Sequence, residues 1–176
     1  AGVAFSECKV PTAEGTGMMA ANEVGRVLQA LAVKQTESVC VVGAGSGYLA
    51  ALLSKVANHV TTVAAKEEAS DQVKQALTKA GVTEVECLVA DYASGWQSQG
   101  PFDVVVVNGA VTHVPSDFID VMPEGGRLFA VIGQDETIMQ GWLLEKHKGG
   151  QVEKQSLFDC TRGWLPGFEP KKAFEF

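Results

Sequence analysis

Ser38–Val39–Cys40–Val41–Val42–Gly43–Ala44–Gly45–Ser46–Gly47–Tyr48 decides the fold of this 176-residue chain. An apolar run of strand type empties into three glycines at alternate positions. Leu49, Leu52, Leu53 and Val56 follow at helical spacing. Strand, glycine loop and helix in that order form the first unit of a nucleotide-binding α/β sheet. The glycines supply positive φ and let the main chain approach a ligand closely, and the helix start behind them leaves N–H groups free. The pattern implies an adenosine-type ligand.

The flanking sequence extends the same alternation. Upstream, Met19, Val24, Val27, Leu28 and Leu31 recur at helical spacing between Met18 and about Val33. Downstream, a helix is expected over 48–57, a strand over 59–64 and a polar helix over 66–80 that stops at Gly81. Strands follow at 84–90 and 102–108; the valine run Val104–Val107 suits a parallel strand covered on both faces. A short helix over 115–121 and a strand over 127–133 complete the alternation. Residues 137–146 and 151–158 then read as two strands joined by Lys148–Gly149–Gly150. The expected fold class is α/β: a Rossmann-like three-layer sandwich with a mostly parallel seven-stranded sheet and an antiparallel C-terminal hairpin. A single domain is expected over 1–176. Residues 1–17 are expected to be irregular, broken by Pro11, Gly15 and Gly17, and the tail from Thr161 to pack over the sheet as a loop.

Composition narrows the function classes. A formal charge of −7 with a pI near 4.9 disfavours a nucleic-acid partner, since no basic patch would neutralise phosphates. Cys8, Cys40, Cys87 and Cys160 lie far apart without a CxxC pair, and are read as reduced thiols and not metal ligands. No apolar run approaches the roughly 20 residues that span a bilayer. The start, Ala1–Phe5, lacks the pattern of a signal peptide, so a cytoplasmic location is expected. His59, His113 and His147 lack metal-ligand spacing and are read as surface or loop residues, His113 lying nearest the ligand end of the sheet. Trp96, Trp142 and Trp164 are read as core or lid packing, and Lys66–Glu67–Glu68 as a solvated helix start.

The loop also discriminates between cofactors. A dinucleotide fingerprint requires G-x-G-x-x-G, whereas here Tyr48 stands where the last glycine would fall. No acid ends the second strand in Thr62–Val63–Ala64–Ala65 either, which disfavours a nicotinamide-dependent oxidoreductase. The G-x-G-x-G spacing resembles the loop of S-adenosylmethionine-dependent methyltransferases. Pro101–Phe102–Asp103, leading through four valines to Asn108, resembles their fourth strand, and Met122–Leu128 the turn before their fifth. More narrowly, the chain resembles the protein-L-isoaspartate O-methyltransferase family. The similarity rests on Gly43–Tyr48 with Ala50–Leu53, Gly100–Asp103, Glu124–Leu128 and Ile132–Gly133–Gln134, and covers about residues 10–165. Members of that family carry a longer N-terminal segment.

The resemblance implies S-adenosylmethionine held by Gly43, Ala44, Gly45, Ser46, Gly47, Tyr48, Ala64, Asp91, Tyr92 and Asn108. Asp91 would accept from the adenine amino group, and Asn108 would lie beside the methionine or sulfonium end. Taken alone, an Asp in that position is a turn or capping residue. The implied reaction passes a methyl group to a carboxylate of an isoaspartyl residue in a damaged protein or peptide; neither nucleic acid nor membrane is an expected partner. A carboxylate is already nucleophilic, so alignment and exclusion of water would suffice. No catalytic residue is assigned.

Three departures from the family pattern stand against this. Val41 replaces an acid in the first strand, and the second strand ends at Ala64–Ala65 without the acid that holds ribose hydroxyls. A charge-assisted bond contributes about 1.5–3 kcal/mol, so its loss would weaken binding by roughly ten- to a hundredfold. Glu67 or Glu68 could replace it from the next helix. Pro11–Met19 lacks the family's Thr-x-Ser-x-Pro segment; Thr12 and Thr16 read as turn residues, and Glu14 would repel an anionic substrate. The alternative reading is a catalytically degenerate methyltransferase-like domain acting as a binding or regulatory module.

Overall fold

The computed structural model describes residues 12, 15–135 and 137–171. Pro11, Cys8, Glu14 and most of the segment expected to be irregular lie outside the described residues, as does the end of the tail. Seven strands form one sheet: β1 (Ser38–Val42), β2 (His59–Ala64), β3 (Val85–Val89), β4 (Val104–Val111), β5 (Arg127–Gly133), β6 (Met139–Lys146) and β7 (Val152–Cys160). The helices are α1 (Ala21–Leu31), α2 (Tyr48–Leu53), α3 (Glu67–Lys79) and α4 (Ser116–Asp120). The strand order is β3-β2-β1-β4-β5-β6-β7. The first five strands pair in parallel, and β5–β6 and β6–β7 are antiparallel. The expected fold class is the one observed.

Side-chain alternation along β1 builds the two sides of the core. Val39 and Val41 face a cluster containing Val27 and Leu31 of α1 and Leu49 and Leu53 of α2. Cys40 and Val42 face the other way, into a cluster with Trp96, Phe102 and Phe118. Trp96 is fully buried; its ring meets Phe118 edge-on at 4.9 Å and its Nε1–H donates to the Tyr92 carbonyl at 2.9 Å. The third cluster packs α3, through Ala69, Val73 and Leu77, onto Ala44 and Ala64.

Element boundaries depart from expectation at several ends: α1 starts at Ala21 and not Met18, which leaves Met18 and Met19 in the segment before it, and β6 starts at Met139 and not Thr137. Helix α2 stops at Leu53, where Ser54 Oγ donates to the Ala51 carbonyl and the chain continues in tighter turns. Strand β4 passes the polar Asn108 and continues to Val111. A register shift after Val106 lets Ala110 and Val111 pair with Val131 and Ile132. Strand β7 runs to Cys160, where Met139 pairs with it. Gly81 does end α3, with φ +69 and the Val82 N–H returned to the Leu77 carbonyl.

The amino ends of the strands are clamped by the very motifs that carry the family resemblance. Asp103 Oδ2 accepts the Ser38 backbone N–H at 2.8 Å and its hydroxyl at 2.9 Å. Its carbonyl accepts the Arg127 N–H, and Arg127 pairs with Glu37 through contacts of 3.1 and 2.6 Å. These residues brace β1, β4 and β5 at the end opposite the glycine loop. Among the described residues, no helix is long and apolar enough to cross a membrane.

Candidate cofactor cleft

At the carboxyl edge of the sheet the ladder hands over to the glycine loop. The Gly43 N–H donates to the Val63 carbonyl and the Ala90 N–H to the Ala64 carbonyl, both at 3.0 Å. Gly43, Ala64 and Asp91 therefore follow one another along a single edge. Gly43, Gly45 and Gly47 have φ of +87, +59 and +77, values that disfavour any residue with a Cβ. Space is as restrictive as torsion: a Cβ on Gly45 would stand 2.5 Å from Asn108 Nδ2. The loop is thus a cradle shaped by missing side chains.

Asn108 serves that cradle directly. Its buried Nδ2 donates to the Gly43 carbonyl at 3.0 Å, tying the end of β1 to β4. Asp91 is exposed, and its Oδ1 accepts the Ala93 N–H at 2.7 Å, leaving Oδ2 as a further acceptor at the edge. Tyr92 turns into the core, only 2% exposed, and Ala64 is 1% exposed under α3. Tyr48 is exposed and opens α2 behind Gly47. The structure therefore brings together Gly43 through Tyr48 with Asn108. Asp91 and Ala64 stand beside them, and the Tyr92 side chain lies in the aromatic cluster. Glu67 and Glu68 are exposed in the first turn of α3. Val41 is 1% exposed within the first core cluster.

One wall of the cleft was not legible in the sequence. Gly17, Met18 and Met19 close over Ala44, Ser46–Leu49 and Asn108, and the cavity between them measures about 10 Å³. Thr16, 1% exposed, shares a 3.1 Å hydroxyl contact with Thr12, and its methyl group would press on any side chain at Gly109. The tail packs over the sheet as expected: Leu165 is fully buried, and its Cδ1 would stand 2.9 Å from a Cβ on Gly43. No local periodicity marks such contacts, because they join segments that are distant in the sequence, Leu165 and Gly43 by 122 positions.

The histidines lie away from this cleft or on its rim. His113 is exposed, with Nδ1 3.1 Å from the Thr112 hydroxyl. His59 pairs with Glu86 at 3.2 Å on the surface. His147 meets Glu153 at 3.1 Å, and with Glu145 these offer ligand atoms within 4.8 Å of one another. Linear spacing hid that cluster, since the Glu145–Glu153 register crosses two strands.

A doubly wound sheet with a G-x-G-x-G cradle at the end of its first strand and an Asp after its third defines the Rossmann-like methyltransferase class. Residues 3–161 match the family described as protein-L-isoaspartate(D-aspartate) O-methyltransferase (PCMT), and the chain belongs to that family. A protein-L-isoaspartate O-methyltransferase of Methanoculleus marisnigri is 34% identical over 151 residues, covering 86% of this chain and 68% of that protein. A relative of the same name from Vibrio cholerae is 32% identical, covering 77% of this chain and 65% of its own length. For protein-L-isoaspartate O-methyltransferase 2 of Shewanella sediminis the chain spans 59% of the relative's length. Among solved structures, a protein-L-isoaspartate O-methyltransferase superposes with a TM-score of 0.79 at 20% identity, over 90% of this chain and 51% of its own. A Plasmodium falciparum structure, described as a putative member in complex with S-adenosyl-L-homocysteine, gives 0.74 at 18% identity, over 93% and 82%. These likenesses share the fold.

Proposed function

We propose that this chain transfers a methyl group from S-adenosylmethionine to a carboxylate of isoaspartyl residues in proteins or peptides. The observation that carries the reading is the cradle itself: three positive-φ glycines, joined by Asn108 to β4, at the carboxyl edge of a sheet in a chain of this family. Gly43–Gly47 would hold the adenosyl and methionyl parts by close backbone approach. Oδ2 of Asp91 would accept from an amino group at the same edge. When bound, the cofactor supplies an electrophilic methyl group.

What the chain contributes is placement. Asn108 fixes the loop carbonyl, and Met18 and Met19 offer an apolar wall that would exclude water from the reacting pair. A carboxylate nucleophile brought into line gains most of its rate from that alignment. The buried Ala64 offers no side-chain acceptor for a ribose hydroxyl, so binding is expected to be weaker than with an acid there, by about ten- to a hundredfold. A cytoplasmic location belongs to the same reading, supported by three free thiols, Cys40, Cys87 and Cys160.

The test is methyl transfer from labelled S-adenosylmethionine to an isoaspartyl peptide, beside its aspartyl twin. The expected product is a base-labile methyl ester on the isoaspartyl peptide alone. Cofactor binding without transfer to either peptide would favour a binding or regulatory module.

A further inference from the structure

Two segments from opposite ends of the chain meet over the carboxyl end of β4. One is residues 15–19; the other is Arg162–Leu165. Gly163 donates its N–H to the Thr16 carbonyl at 3.3 Å, and its own carbonyl accepts the Ala110 N–H at 2.9 Å. Leu165 N–H returns to the Ala110 carbonyl at 2.8 Å. A Cβ on Gly163 would stand 2.1 Å from the Gly15 carbonyl oxygen, so the two backbones approach as only glycine permits.

Arg162 fastens this strap. Its side chain is 5% exposed, and Nη2 lies 3.0 Å from Glu23 Oε2. The same oxygen accepts the Ala20 N–H at 3.0 Å, at the N-cap of α1 and directly after Met19. One carboxylate oxygen thus joins the exit of residues 15–19 to a tail 139 positions away. Desolvating an ion pair offsets much of its attraction, so such a contact contributes defined geometry more than net stability.

The cleft beneath is nearly shut. Gly17, Met18 and Met19 stand against the glycine loop with about 10 Å³ between them. Small-molecule sites typically measure at least about 300 Å³. A ligand seated between Gly17–Met19 and the glycine loop therefore requires that segment to shift off the loop. Among the described residues, that segment is held to the tail by the Gly163–Thr16 bond and the Arg162–Glu23 pair, with Thr16 and Met19 buried beneath them.

We infer that Arg162, acting through Glu23, is a positioning residue that latches residues 15–19 across the cleft and sets the rate of cofactor exchange. The inference rests on the proposed use of the glycine loop. Loss of the pair leaves the cradle intact but frees its wall, so entry and exit quicken while the bound geometry persists.

The test compares the full chain with Arg162→Met, Arg162→Lys and Glu23→Gln. In the absence of ligand, backbone amides of residues 15–20 in Arg162→Met should exchange with deuterium about tenfold faster, with β1 and β4 unchanged. S-adenosylhomocysteine should dissociate about tenfold faster in stopped flow, with Arg162→Lys intermediate. Glu23→Gln, which keeps an acceptor for Ala20, should follow Arg162→Met in direction and carries the comparison if that variant folds poorly. Unchanged exchange at residues 15–20, or equal acceleration throughout β1 and β4, would overturn the latch. Because the exchange arm needs no ligand, failure of S-adenosylhomocysteine to bind counts against the proposed function and leaves the latch to be decided by exchange alone.

Discussion

Asn108 Nδ2 donates to the carbonyl of Gly43 across 65 residues of sequence, at 3.0 Å and buried. This bond makes the glycine loop a fixed shape and not a flexible turn. It also explains why Gly45 has no alternative, since the Asn108 amide fills the space a Cβ would need.

Replacing Asn108 by Leu keeps the volume and removes the donor, leaving the Gly43 carbonyl without its partner. The expected cost is about 1–3 kcal/mol of stability, read from urea midpoints, with S-adenosylhomocysteine affinity falling by at least about tenfold. Retention of full affinity would show that the loop keeps its shape unaided.

Asp103 makes the converse case. It accepts two bonds from Ser38 at the far end of the sheet from the cradle. Asp103→Ala should therefore lower stability by about 1.5–3 kcal/mol while ligand affinity in the folded fraction stays within about twofold. A large loss of affinity at unchanged stability would contradict the division of labour between the two edges.

That division is also where sequence and structure part. The β1–loop–α2 unit, the valine strand and the hairpin were legible, because glycine placement and apolar runs report backbone needs directly. Gly100–Asp103 and Glu124–Leu128 read as family marks, yet Asp103 and Arg127 turn out to hold the frame. Asn108 was read as a candidate site residue and not as a brace, since its partner is set by the β1–β4 register. The Met18–Met19 wall and the Leu165 wedge were illegible: their contacts depend on how the two chain ends cross, which no local pattern encodes.

Acid sensitivity should trace partly to Glu37. Burial pushes its carboxyl up, but the Arg127 hydrogen bond, the Lys34 N–H and the charges of both residues outweigh this and hold it below its ordinary 4.5. A group depressed on folding contributes stability above its unfolded value and loses it as pH falls through the folded value. The stability gap between wild type and Glu37→Gln should therefore be widest near neutral pH and shrink below about pH 4.5. A gap independent of pH would contradict this role.

Thiol reactivity should be graded. Burial pushes the Cys40 thiol far up, and burial together with Glu23 raises Cys160 to about 11. In the native protein at pH 8, mass spectrometry should find Cys40 unmodified by iodoacetamide and Cys160 modified only slowly; both should react on unfolding. Rapid native alkylation of Cys40 would contradict the packing of β1.

The central claim is that the Gly43–Gly47 cradle holds an adenosyl ligand, and calorimetric titration of the full chain with S-adenosylhomocysteine tests it most directly. The expected result is one site with a Kd in the micromolar range, about −8 kcal/mol, that disappears in Gly45→Val and survives in Asp103→Ala. Absence of heat at about 1 mM ligand, or equal affinity in Gly45→Val, would contradict it.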